Sequence, residues 1–128
     1  MTFFNYRALL NHVHDGDTIN VDIDLGFGVW LKGQSMRLFG IDAPELNTAA
    51  GKAAWKFLHE KLFAVSEVTL VTTKVQEDKF GRILATIFYK GENVNQAMVD
   101  AGHAKPYFGG KKDVAEVQPR VPEAGVQK

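Results

Sequence analysis

Three short stretches of this chain carry side chains suited to phosphate chemistry: Asp15-Gly16-Asp17-Thr18, the run from Met36 to Glu45, and Asp78-Lys79-Phe80-Gly81-Arg82. Tyr107-Phe108 is a weaker fourth. Asp17, Asp42 and Glu45 offer hard oxygens, which suit calcium or magnesium better than zinc or copper. Arg37 and Arg82 offer forked donors matched to phosphate oxygens. A phosphodiester under attack gains negative charge, so a divalent cation and two fixed guanidinium groups would favour its transition state over its ground state. The set therefore points to a site that cuts a phosphodiester bond.

Each residue also has a plainer reading. Asp17 has the parity of Ile19 and Val21. If the strand alternation reaches back to it, its carboxylate turns with the apolar face and needs a cation there; otherwise it is an exposed turn carboxylate. Arg37 sits in an apolar strand beside Met36, Leu38 and Phe39, so it either pairs with a structural carboxylate or faces a pocket that takes an anion. Asp42 and Glu45 close that strand, and Pro44 stops its ladder; alone they read as solvated acids of a loop. Arg82 alone reads as a hairpin surface residue. His12 and His14 share a strand face and could bind zinc, though a zinc site wants three or four protein ligands. Tyr107 and Phe108 either stack on a nucleobase or pack the last part of the core. Trp30 and Trp55 read as core or hairpin packing.

The elements that must position these residues follow from periodicity. Residues 17–25 alternate, with Ile19, Val21, Ile23 and Leu25 on one face and Thr18, Asn20, Asp22 and Asp24 on the other, as in a half-buried strand. Phe4 to Val13 supplies a strand before it, with a turn near Asp15-Gly16. Val29 to Ile41 supplies one after the Gly26-Phe27-Gly28 turn, bent near Lys32-Gly33. From Ala49 the period becomes helical, with Asn47-Thr48 as the cap and an end near Phe63. Glu67 to Val75 and Ile83 to Tyr89 are two more strands, and Val94 to Ala101 is a short helix ended by Gly102. The fold class is thus mainly β with helices (α+β). The order, βββαββα, is that of a five-stranded Greek-key barrel of the oligonucleotide-binding kind. Residues 1–112 form one domain, and 113–128 is a tail that is disordered or docks on a partner.

Composition narrows the setting. Apolar residues at 45% and charged residues at 23% suit a folded, soluble domain. The absence of cysteine excludes disulfides, thiolate nucleophiles and cysteine zinc sites. Fifteen basic residues balance 15 acidic ones, so any grip on a polyanion must be local. Met1 to Leu10 lacks the pattern of a signal peptide and no segment resembles a membrane span, so the expected location is the cytoplasm, unless a leader has been trimmed or the origin is viral.

Asp-Gly-Asp-Thr, Arg37-Leu38 with Asp42-Ala43-Pro44-Glu45, Asp78-Lys79-Phe80-Gly81-Arg82, and the run from Val94 to Lys105 occur in an order that resembles the staphylococcal nuclease family over residues 5–108. The resemblance implies that Asp17 and Asp42 hold one calcium ion, with the Ala43 backbone carbonyl as a further ligand. It implies that Glu45 positions or deprotonates the attacking water, and that Arg37 and Arg82 contact the phosphate. Tyr107 and Phe108 would bind substrate, which would be DNA, RNA or both, cut to leave a 3′-phosphate. Ala43 stands where the family often has threonine. The hairpin from Asp22 to Ser35 looks longer than the family pattern and the loop from Leu46 to Ala50 shorter, and the family's final long helix has no counterpart after Lys112. A monomer or a tail-mediated homodimer is expected, the latter suggested by Val114, Val117, Val121 and Val126. The alternative is a noncatalytic nucleic-acid- or protein-binding barrel, since fold does not fix function. Against it stand the clustered acids, which would repel a polyanion unless a cation intervened.

Overall fold

A computed structural model describes residues 3–62, 66–73 and 81–107. Strand β1 (Phe3–Asp15) pairs antiparallel with β2 (Thr18–Gly26) on one edge and with β5 (Glu67–Thr73) on the other. Strand β2 continues to β3 (Val29–Leu38), and β5 to β6 (Ile83–Tyr89). A parallel seam between Met36–Leu38 and Ile83–Ala85 then joins β3 to β6 and closes the ring. The chain is therefore mainly β with two helices, in the expected order, and its closed five-stranded ring is consistent with a barrel of the oligonucleotide-binding type.

Ile19, Val21, Met36, Leu38, Leu70 and Ile87 fill the barrel and are fully buried. Helix α1 (Ala49–Leu62) adds Ala54, Leu58 and Leu62 at the three- and four-residue spacing that makes one apolar stripe. Its cap is Thr48, whose hydroxyl accepts from the Gly51 N–H at 2.9 Å and donates to the Glu45 carbonyl at 2.7 Å. Helix α2 (Val94–Asp100) starts on Asn93 and ends at Gly102 with φ of 79°. There the Gly102 N–H reaches Val99 O and the His103 N–H reaches Met98 O, a Schellman termination.

Three departures from simple alternation bear on the site. Leu25 has the parity of the core residues but is 44% exposed, because the β2–β3 hairpin runs past the barrel into a turn at Gly26, Phe27 and Gly28, all at positive φ. Thr18, expected on the polar face, is buried. The single strand expected from Val29 to Ile41 is two pieces. Strand β3 stops at Leu38, Gly40 turns the chain at φ of 80°, and a short β4 (Ile41–Asp42) pairs instead with β8 (Lys105–Pro106). Between β6 and α2, a two-residue β7 (Glu92–Asn93) folds back on β6. Residues 74–80, with Asp78, Lys79 and Phe80, lie outside the described residues, as do Phe108 and the expected tail 113–128. Among the described residues no helix is long and apolar enough to cross a membrane.

The break after β3 is held by a buried side chain. Asn95 of α2 accepts from the Ile87 N–H at 3.0 Å and donates to Ala85 O at 3.0 Å and Phe39 O at 2.9 Å. One amide thereby ties α2 to β6 and to the exit of β3. Replacing it with alanine strands a buried donor and leaves two carbonyls short of a partner. Asn95→Ala is therefore expected to cost roughly 2–4 kcal/mol in urea denaturation; a loss below half a kcal/mol would show that the clamp is dispensable.

Candidate active site

The site is built on a tight turn. Asp15 pairs with Thr18 across β1 and β2, leaving Gly16 and Asp17 as the connecting residues. Gly16 is buried, and a Cβ there would lie 2.8 Å from the Cβ atoms of Ala43 and Ala54. The absence of a side chain lets the turn press against the segment that joins β4 to α1. This close approach places the Asp17 carboxylate beside the backbone of Ala43, whose N–H donates to Oδ2 at 3.0 Å.

Asp17 is 6% exposed, as its parity suggested, although it sits in the turn and not on the strand. Its cation is Arg37, whose Nη1 lies 2.9 Å from Oδ2. Arg37 also donates to the Ile41 carbonyl at 3.0 Å and stands 3.5 Å from Asp42 Oδ1. Both readings of Arg37 thus begin from the same fact: it is paired with carboxylates, two of them, and one is half-exposed, the Asp42 side chain at 52%.

The parallel seam brings in the second arginine. Arg37 faces Thr18 on one neighbouring strand and Leu84 on the other, and Arg82 lies two residues before Leu84, on the same side. Arg82 Nη1 donates to the Thr18 hydroxyl at 3.2 Å, and that hydroxyl donates to Asp17 Oδ1 at 3.2 Å. A continuous path therefore runs from Arg82 through Thr18, Asp17 and Arg37 to Asp42. Alternation alone assigns Thr18 to solvent, yet it is 2% exposed and lies inside this network.

Glu45 is exposed in the segment between β4 and α1. Its backbone is fixed by helix α1: its carbonyl accepts from the Thr48 N–H at 3.0 Å, and a Cβ at Gly51 would lie 1.8 Å from the same oxygen. Ala43 meets Asp17 through its N–H. Tyr107 is tied to the site's edge by its N–H, 2.8 Å from Gly40 O, and the residue is 53% exposed, which excludes core packing. Trp55 is half-buried and donates from Nε1 to Val13 O at 2.9 Å. His12 and His14 are exposed on β1.

The electrostatics follow from this packing. Burial pushes the Asp17 carboxyl up, but the Ala43 N–H, the Asp15 side chain and the Arg37 guanidinium together hold it below the usual carboxylate range. Burial and the hydrogen bond with Asp17 push Asp15 the other way, above that range, even though the Asp17 N–H donates to its Oδ1 at 3.1 Å. Burial lowers Arg37, and the facing charges of Asp17 and Asp42 more than reverse this. Among the described residues no group of three or more His, Cys, Asp or Glu side chains could hold a metal ion. Asp17 and Asp42 are the two carboxylates that converge, and both face the Arg37 guanidinium; their hard oxygens are of the type that calcium or magnesium takes.

Comparison with known proteins identifies relatives of this chain. A family model described as staphylococcal nuclease homologue matches residues 35–125, which include Arg37, Asp42, Glu45 and Arg82. Similar proteins include an uncharacterized endonuclease of Escherichia coli, 38% identical over a 112-residue alignment that covers 81% of this chain and 67% of that protein. A thermonuclease of Staphylococcus hyicus is 35% identical over 102 residues, 75% of this chain and 56% of that protein. An uncharacterized protein of Bacillus anthracis is 34% identical over 100 residues, 72% of this chain and 43% of that protein. The chain thus spans between 43% and 67% of the length of these relatives.

The pairing gives Asp15 and Asp17 opposite titrations. Carboxyl carbon-13 NMR should show Asp17 protonating below the ordinary aspartate value of about 3.9 and Asp15 above it. Because its folded-state value is lowered, Asp17 stabilises the fold above about pH 4, and that contribution is lost as pH falls through the lower folded value; the contribution of Asp15 has the opposite sign. Arg37→Met, which leaves Asp17 buried without its cation, should cost about 3–5 kcal/mol at neutral pH and move the Asp17 titration upward. An unmoved Asp17 titration in that variant would refute the ion-pair account.

Proposed function

Because this chain belongs to the staphylococcal nuclease homologue family, we propose that it is a calcium-dependent endonuclease that hydrolyses phosphodiester bonds of DNA, RNA or both. The observation that carries this reading is the guanidinium of Arg37 held between Asp17 and Asp42, with Arg82 joined to it through Thr18. Acids that would repel a polyanion and arginines that would receive it are interleaved within one hydrogen-bonded network. That arrangement suits a site whose substrate is a phosphate and whose helper is a cation.

Asp17 and Asp42 would hold the ion, with the Ala43 carbonyl as a further donor, and when bound it would supply positive charge against the phosphate. This chain's own groups do the rest. Arg37 and Arg82 bind the non-bridging phosphate oxygens and stabilise the charge that grows on them. Glu45, exposed beside the site on a backbone locked by the α1 cap, takes the proton from the attacking water. The water oxygen bonds to phosphorus, the bond to the 5′ oxygen breaks, and that oxygen takes a proton from solvent, which the proton then shed by Glu45 restores, while a 3′-phosphate remains. Tyr107, exposed at the edge of the site, stacks on a base of the bound strand.

The test is incubation of the purified chain with single-stranded DNA and with RNA, in calcium, in magnesium and in chelator. Cutting should need calcium. Glu45→Gln should lose about two to four orders of magnitude in kcat, the usual contribution of a general base, and Arg82→Ala about two to three. Cutting that persists in chelator, or that survives Glu45→Gln unchanged, would reject the mechanism. A strand that is retarded but never cut would favour a noncatalytic binding module.

A further inference from the structure

At the mouth of the site the half-exposed Asp42 stands 3.5 Å from Arg37. A strand longer than one phosphodiester carries further phosphates past this rim, where an exposed cation would hold them. The strand pairing provides one. In the β4–β8 ladder Asp42 lies directly across from Lys105 and Ile41 across from Pro106, and the bond from the Tyr107 N–H to Gly40 O extends the same register by one step. Residues directly opposed on antiparallel strands share a face, with Cβ atoms about 4.5–5.5 Å apart, and residues two apart on one strand also share it. Ile41 is buried on the other side. Asp42, Lys105 and Tyr107 thus stand together on the outward face, with side-chain-free Gly40 beneath Tyr107.

Lys105 is exposed, and among the described residues no carboxylate lies within ion-pair distance of its ammonium. It is not consumed as a structural partner of Asp42, which faces Arg37. Its position across from a proposed ion ligand, and about 6.6 Å along the strand from Tyr107, makes β8 a rail: an ammonium followed by an exposed aromatic ring. That is the pairing of backbone charge and stacking surface by which proteins hold a single strand. We propose that Lys105 binds the phosphate next to the scissile one, so that β8 positions the flanking nucleotide while Arg37 and Arg82 hold the ester that is cut. This rests on the nuclease reading, and it adds a substrate-binding residue and a dependence on substrate length.

The experiment compares the full chain with Lys105→Gln and Lys105→Arg on two substrates. One is a dinucleotide with a single phosphodiester and no terminal phosphate; the other is a single-stranded octanucleotide. Lys105→Gln should raise KM for the octanucleotide roughly tenfold, the scale of one charge-assisted contact, with a much smaller effect on the dinucleotide, and Lys105→Arg should restore most of the loss. Octanucleotide binding, read by fluorescence anisotropy across a salt series, should show a slope shallower by about 0.7 for Lys105→Gln. Equal losses on both substrates, or an unchanged salt slope, would overturn the assignment. If the unmodified chain binds the octanucleotide but cuts neither substrate, the nuclease reading fails and the salt slope alone decides Lys105. If it neither binds nor cuts, both readings fall.

Discussion

The buried pairing of Asp17 with Arg37 is the constraint around which the rest of this structure is arranged. Neither charge is tolerable alone in its setting, since an ion removed from water is costly unless its partner and its remaining hydrogen bonds are in place. The surroundings meet that demand from three directions: the Ala43 N–H on one oxygen, the Thr18 hydroxyl on the other, and the Ile41 carbonyl on the arginine. These groups come from two stretches of chain, Thr18 from the start of β2 and Ile41 and Ala43 from β4 and its exit, while Arg37 itself belongs to β3. The pair therefore fixes the relative placement of the β1–β2 turn, the end of β3 and the short β4, and it does so at the point where those stretches leave the sheet.

The parallel seam supplies what the ion pair cannot. A barrel closed by β3 against β6 must bring Arg37 and the start of β6 side by side, and register alone then sets Arg82 next to Thr18. Helix α2 secures this seam through Asn95, whose amide bridges Ala85, Ile87 and Phe39. The candidate site lies where the chain leaves β3, and the reason is mechanical: a strand that stops at Leu38 and turns at Gly40 releases Asp42 and Glu45 from the β3 ladder.

Much of this was legible in the residues, and the exceptions share a cause. Helix α1 and its Thr48 cap, strand β6, and the Gly102 termination follow from local spacing and turn chemistry, so they emerge from the sequence within a residue or so. Asp17 and Arg37 were visible as charges in apolar company. Thr18 and Leu25 were assigned to the wrong sides because strict alternation assumes that a strand is covered evenly along its length. In fact β2 has a polar network over one end and protrudes from the barrel at the other. Asn95 escaped because its role is long-range: its partners are eight to 56 residues away. Its one local signal was an amide beside Val94 and three residues before Met98, where a helix turns its buried side. The division of the third strand at Gly40 depends on a partner, β8, more than 60 residues downstream, which no window of periodicity could reveal.

The protruding hairpin has a consequence for how this molecule could be built upon. Strand β2 carries the chain from the Asp17 turn to Gly26 over nine residues, about 30 Å for an extended strand, so the two ends of the hairpin have little to say to each other electrostatically. At the far end, nothing lies within 4 Å of where a Cβ would stand on Gly26 or Gly28, and Phe27 between them is fully solvated. That loop is a natural splice point. A fluorophore, an affinity peptide or a second folded module could be grafted there and read out or tethered at a distance from the acids and arginines, with the barrel serving as a rigid spacer between cargo and chemistry.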